Sequence, residues 1–330
     1  MTTTTPAPAR PDPGQRAPAP APGGPGRRTR LGTTIRRLDP KVSPYLYIAP
    51  FFLLFAVFGL FPLLYTVVVS LYDWELTSAT HELIGLDNYR ELLADPYFWN
   101  ALRNTLSIFV LATVPQLVLA LVIAHLLNAR LRFRTLTRMG VLLPNITSVA
   151  AVTLIFAQLF GRDFGIVNWA LGLIGLGPVD WQSGRLTSHF AIATMVDWRW
   201  TGYNALIYLA AMQVIPRDLY EAAALDGAGT WRQFRSITVP LLRPTIIFTV
   251  IMATIGGIQL IAEPLLFDPI PNATGGADRQ FQTIALYLYE QAFRRFELGY
   301  GSAIAWTLFL ITAIATLINV TIVRRLRGRG

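Results

Sequence analysis

The sequence predicts an all-α integral membrane protein with six transmembrane helices. Six apolar runs are long enough to cross about 30 Å of hydrocarbon as helices of about 20 residues. With 53% apolar and 14% charged residues, the 330-residue chain has too little charge to coat an ordinary soluble domain. Its basic residues also gather in short clusters between the runs, which is a topology signal rather than a nucleic-acid patch, despite the net charge of +9.

In chain order, residues 1–40 are rich in Pro, Ala, Thr and Gly and end in a basic cluster. They offer too few large apolar side chains to offset the entropy of ordering, which predicts a disordered cytosolic tail. They lack the apolar centre of a signal peptide. Residues 41–330 then form one membrane domain whose runs are 45–71, 106–127, 136–160, 189–212, 246–267 and 302–323. Pro50, Pro62, Pro115 and Pro144 fall inside these runs, which suits a packed bundle whose neighbours satisfy the freed carbonyls.

Orientation follows the arginines. Arg36 and Arg37 precede the first run, Arg130 to Arg138 separate the second from the third, Arg217 to Arg243 the fourth from the fifth, and Arg324 to Arg329 follow the sixth. These segments are predicted to be cytosolic, with both termini inside the cell membrane. The alternate segments carry Asp73, Glu75, Asp163, Asp180 and Glu290.

Catalytic chemistry is missing. The single lysine, Lys41, sits between Pro40 and Val42, so no phosphate-binding Gly-Lys-Ser/Thr loop exists. His81, His125 and His189 have no metal-ligand spacing and there is no cysteine, so no catalytic residue, metal or cofactor is expected on this chain.

Polar residues at membrane depth are costly unless they face protein or water. Asp197-Trp198-Arg199-Trp200 lies about ten residues, or about 15 Å, into the fourth run, which puts Arg199 near the midplane. Asp197 and Arg199 are two apart and do not face each other on a helix. Two readings stand: the aromatics and Arg199 line a pathway, or they pack and pair with neighbouring helices. Glu263 near the end of the fifth run is a gate contact or a solvated interface residue. Trp198, Trp200, Tyr203 and Asn204, with Asn145 and Gln259, supply the flat apolar faces and hydrogen-bonding groups that sugars require.

Between the fourth and fifth runs lies a polar island, 220–244. Residues 219–225 are good helix formers, Gly227 and Gly229 offer backbone angles closed to other residues, 231–237 is helical again, and Pro240 and Pro244 limit that helix and start the next run. Within it Glu221, Ala222, Ala223, Gly227, Ile237, Val239 and Pro240 fall at the spacing Glu-Ala-Ala, three residues, Gly, nine residues, Ile, one residue, aliphatic, Pro. This resembles the EAA loop of the permeases of binding-protein-dependent ABC importers, with Val239 where Leu is usual.

From about residue 45 onward the chain resembles the type I permeases of the carbohydrate-uptake class. That resemblance implies a second permease subunit of the same family, two ATP-binding subunits that hold the ATP and Mg, and an extracytoplasmic sugar-binding lipoprotein. It places the ATPase contact at 216–244, through Glu221, Ala222, Ala223, Asp226, Gly227, Gly229, Ile237 and Pro240. Family sugar-contact positions fall on Asn145, Val149, Val196, Arg199, Trp200, Tyr203, Met252, Gly256 and Gln259. The stretches 256–267 and 280–283 are similar to those of cellobiose and cello-oligosaccharide permeases. A solute-coupled transporter or a membrane enzyme would need more intramembrane carboxylates than Asp197 and Glu263.

Overall fold

The computed structural model describes residues 30–78, 80–129, 132–267 and 274–327, with side chains from Ser43 to Thr321. The Pro/Ala-rich residues 1–29 lie outside it. The chain divides into two units, Met1–Pro62 and Leu63–Gly330. In the first, helix α1 (Arg30–Phe55) starts within the basic end of the expected tail and runs into a π-turn, Ala56–Leu60. Its apolar side chains, Phe51, Phe52 and Phe55 among them, are exposed, as suits a helix whose solvent is lipid.

The second unit begins within α2 (Phe61–Val69), followed by a two-stranded hairpin, β1 (Tyr72–Asp73) and β2 (Glu82–Leu83), in which Tyr72 pairs with Leu83. After α3 (Asp87–Ala94) comes α4 (Pro96–Asn128), the longest helix. Its start is specified by sequence: the Asp95 carboxylate accepts the Tyr97 amide at 2.8 Å, and Pro96 occupies the first turn, where its missing N–H costs nothing.

The third apolar run is broken. Helices α5 (Arg134–Ile146) and α6 (Val149–Leu159) meet at 89° across Thr147 and Ser148, whose backbones are extended at ψ 144° and 129°; Pro144 lies inside α5 and leaves the Gly140 carbonyl without its helical donor. Beyond a short helix, α7 (Ile166–Leu173), α8 (Arg185–Met212) spans 28 residues, about 42 Å. Gly202 lets α8 approach α5 closely: a Cβ there would lie 1.8 Å from the Val141 carbonyl oxygen.

The fifth run is broken too. After α9 (Asp218–Leu225), α10 (Thr230–Gln233) and α11 (Val239–Leu241), helix α12 (Arg243–Ile258) stops at Gln259, and the chain resumes as α13 (Ala262–Phe267). Last come α14 (Ile284–Tyr289) and α15 (Leu298–Arg327). Among the described residues three helices, Ser43–Val69, Pro96–Asn128 and Leu298–Thr321, are long and apolar enough to cross a membrane, and the count reaches five if two bent pairs, Arg134–Ile146 with Val149–Leu159 and Thr230–Leu241 with Arg243–Ile258, are each one span. α8 has the length of a span, but its Asp197-Trp198-Arg199-Trp200 segment makes it more polar than those three.

A largely buried polar clamp ties residues 279–290 to α4 and α8. Arg279 forks onto Glu290 with two bonds of 2.8 Å, and Gln282 donates to the same carboxylate at 2.7 Å. Asn100 and Asn104 of α4 hold the Arg279 carbonyl at 2.8 and 2.9 Å. His189 of α8 bridges Ser107 of α4 and the Gln280 carbonyl. Gln280, Phe281, Gln282 and Thr283 are all buried. The segment 280–283 therefore acts as scaffold.

Candidate substrate cavity and coupling elbow

A cavity of ≈ 540 Å³ opens where α12 stops. Its walls come from α4 (Ile108, Phe109, Thr113, Gln116), the start of α6 (Val149), α8 (Val196, Arg199, Trp200, Tyr203, Asn204) and α12 (Phe248, Met252, Gly256). Gln259, Leu260 and Ile261, the non-helical break, and Ala262 and Glu263 of α13 close the ring. A helix end leaves carbonyls without intrahelical donors, so the break offers polar backbone to a ligand at membrane depth. One of these groups is already committed: Leu260 O accepts the Thr283 hydroxyl at 2.7 Å. Gly256 has open space where a Cβ would sit, whereas at Gly257 a Cβ would meet the Phe109 ring at 2.6 Å. Gly256 thus widens the cavity and Gly257 fixes its wall.

Trp200 and Tyr203 meet edge to face, with ring centroids 5.8 Å apart, and both keep substantial exposed surface. Arg199 reaches across from α8 to α13 and donates through Nη1 to Glu263 Oε1 at 2.7 Å. The two side chains are 12% and 5% exposed, so this pair is buried. Glu263 is thus not the solvated residue that was one of its two sequence readings. Arg199 finds its partner 64 positions away rather than in Asp197, which is absent from the cavity lining.

Of the nine family contact positions, eight line the cavity: Val149, Val196, Arg199, Trp200, Tyr203, Met252, Gly256 and Gln259. Asn145 does not. It sits half-buried one residue before α5 ends, and the 89° turn brings Val149 to the cavity in its place. Trp198 packs on Phe156 at 5.6 Å and is also outside the lining. Thr113 and Gln116 were missed by the sequence reading. Their signal was available: two polar residues at i, i+3 astride Pro115 in the otherwise apolar stretch 108–124 of α4.

The elbow is a helix, a turn and a second helix, as its sequence predicts. α9 closes with both bonds of a Schellman motif, Gly227 N–H to Ala224 O at 3.0 Å and Ala228 N–H to Ala223 O at 2.9 Å. Gly227 takes the positive φ of +76° this requires, while Gly229 is extended at φ −69°, ψ 165°, open to any residue. The expectation that both glycines supply special angles is corrected to Gly227 alone. The Tyr220 hydroxyl meets the Thr238 hydroxyl at 2.9 Å and ties the two arms. Phe234, Arg235, Ser236, Ile237 and Thr238 form a π-turn just before Pro240, which has no N–H for the Ser236 carbonyl. Pro240 therefore lies inside the second arm, and the boundary falls at Leu242, with Pro244 in the first turn of α12. Glu221, Ala222, Asp226, Leu225 and Trp231 are exposed, the last two at 91% and 71%, whereas Ala223 and Ile237 are half-buried.

The family model described as "Binding-protein-dependent transport system inner membrane component" matches residues 100–328. The chain belongs to that family. The match runs from Asn100 within α4 through α15, hence the main cavity walls and the whole elbow. The permease is 36% identical over 283 residues to the lactose transport system permease protein of Rhizobium radiobacter, covering 84% of this chain and 93% of that one. It is 32% identical over 292 residues to the arabinooligosaccharides transport system permease protein of Bacillus subtilis (strain 168), covering 88% and 91%. A chain of the bacterial alginate ABC transporter, solved in complex with its alginate pentasaccharide-bound periplasmic protein, superposes with a TM-score of 0.75 at 22% identity. The two cover 90% and 98% of each other's length, and the likeness shows the type I permease fold.

Proposed function

We propose that this permease is half of the translocation pathway of an ATP-driven oligosaccharide importer. It pairs with a second permease subunit, takes substrate from an extracytoplasmic sugar-binding lipoprotein, and meets two ATP-binding subunits that hold ATP and Mg; the chain itself binds neither. Six crossings, with α5–α6 and α12–α13 as the broken ones, and two cytosolic termini complete the reading. The observation that carries it is the cavity at the α12 break, which combines the Trp200–Tyr203 aromatic corner with the amides of Gln116, Asn204 and Gln259. Sugars are held by that mixture of flat apolar faces and oriented hydrogen bonds.

The elbow supports the coupling half of the proposal: Glu221, Leu225 and Trp231 form an exposed surface on a rigid Schellman-capped bend. The substrate class put forward first is cello-oligosaccharides, through the similarity of 256–267, part of which lines the cavity. The test is ATP-dependent accumulation of labelled oligosaccharides in proteoliposomes holding the complete importer and its binding protein. Accumulation of cellotriose above that of lactose and arabinotriose supports the full reading. Accumulation of another oligosaccharide moves the substrate assignment only, and accumulation of none overturns the function.

A further inference from the structure

Arg199 and Glu263 are the two charged side chains in the lining of the cavity. They lie on different helices, face each other at 2.7 Å and are both largely buried. Nothing in local sequence demands this, since either residue alone would be a costly uncompensated charge at that depth. Packing α8 against α13 does not demand it either, because well-packed apolar side chains hold helices together at least as well as a buried ion pair. Two further facts tie the pair to the contents of the cavity. Glu263 stands in the first turn of α13, immediately beyond the break that presents Gln259. Arg199 is only partly used: Nη1 holds Glu263, Nε is buried without a hydrogen-bond acceptor, and the guanidinium lies 5.9 Å from the centroid of the Trp200 ring.

We infer that Glu263 is a specificity-determining residue: by neutralising Arg199 it keeps the cavity electrically neutral, so that uncharged saccharides are accepted and carboxylated ones are refused. This rests on the reading of the cavity as a sugar site. Without Glu263, Arg199 is a lone, poorly hydrated cation beside a hydrogen-bonding wall, a group suited to the carboxylate of a uronic acid residue. With Glu263 in place, an entering carboxylate meets a guanidinium already paired and a second carboxylate beside it, and leaves its own hydration without compensation.

The complete importer in lipid nanodiscs tests this by equilibrium binding of lactose, arabinotriose and trigalacturonate, without binding protein, so that delivery does not select the ligand. The wild type is expected to bind a neutral probe and to bind trigalacturonate weakly. Glu263→Gln is expected to bind trigalacturonate about tenfold or more tightly than the wild type at low ionic strength. High salt should erase much of that gain. Arg199→Gln/Glu263→Gln, neutral again, should lose the gain. Equal trigalacturonate affinity in wild type and Glu263→Gln overturns the inference, and so does a gain that persists in the double variant. Should Glu263→Gln fail to assemble, the wild type decides alone through trigalacturonate and its uncharged methyl ester. A preference of about tenfold or more for the ester supports the inference, and equal binding overturns it. If the wild type binds a neutral probe, the sugar-site reading stands whatever Glu263 does; if it binds no probe at all, both fall.

Discussion

Gly202 of α8 passes so close to Val141 of α5 that an added Cβ would stand 1.8 Å from the Val141 carbonyl oxygen. The obstacle is backbone, which cannot rotate aside as a side chain does. Small residues that let helix backbones meet are a main source of packing in membranes, where the hydrophobic effect does not pull helices together. Gly202→Ala should therefore force α5 and α8 apart at a cost of about 1–3 kcal/mol. Thermal unfolding of the purified complex in detergent checks this: a midpoint unchanged from the wild type would mean that α5 shifts freely.

At the elbow the two glycines should behave differently. Gly227 has φ +76° but open space around a Cβ, so the penalty for Val there is conformational, about 1–2 kcal/mol, rather than a clash. Gly229, extended and equally open, should accept Ala with little loss. Gly227→Val should insert in the membrane yet lose uptake and ATPase co-purification, and Gly229→Ala should keep both. Glu221→Lys should also impair ATPase co-purification, because Glu221 is exposed on the same bend. Co-purification of the ATPase with Gly227→Val at wild-type yield, together with normal uptake, would remove the elbow from the coupling role.

Much of this architecture was legible in sequence because its causes are local. Apolar runs, proline positions and the Glu221 to Pro240 spacing place helices, kinks and the elbow without knowledge of neighbours. What escaped depends on contacts distant in sequence. Arg199 and Glu263 are 64 residues apart and became a pair only when the stop at Gln259 turned α13 toward α8. The 89° turn beyond Asn145 falls at Thr147 and Ser148, and its direction depends on packing. The role of 280–283 was hidden for the same reason, since its partners Asn104 and His189 lie on α4 and α8.

Glu297, just before α15, gives a pH test. Burial raises its pKa above 4.5, Arg295 opposes the rise, and Glu75, Glu91 and Asp73 add to it. The folded protein therefore holds this proton more tightly than the unfolded chain. Its contribution to stability is present below about pH 4.5 and is lost as pH rises through the folded value. Glu297→Gln should thus unfold at a higher temperature than the wild type at pH 7, and the difference should shrink as pH falls toward 4.5. A difference that is constant across that range would assign the effect to packing.

Tyr203 and Gln259 both line the cavity, one from α8 and one from the α12 break. Tyr203 offers a flat apolar surface and a hydroxyl, Gln259 an amide that both donates and accepts. Losing one hydrogen bond in such a site costs about 1–3 kcal/mol, or roughly 5- to 150-fold in affinity. Neither side chain is fully buried, so truncating either leaves the fold intact. Tyr203→Ala and Gln259→Ala should therefore lower sugar flux while loaded binding protein still stimulates ATP hydrolysis, so that less sugar moves per ATP. The matched measurement is flux and hydrolysis on the same proteoliposomes. Wild-type flux of every tested oligosaccharide in both variants would show that the two residues only pack, and would move the pathway to other faces of α8 and α12.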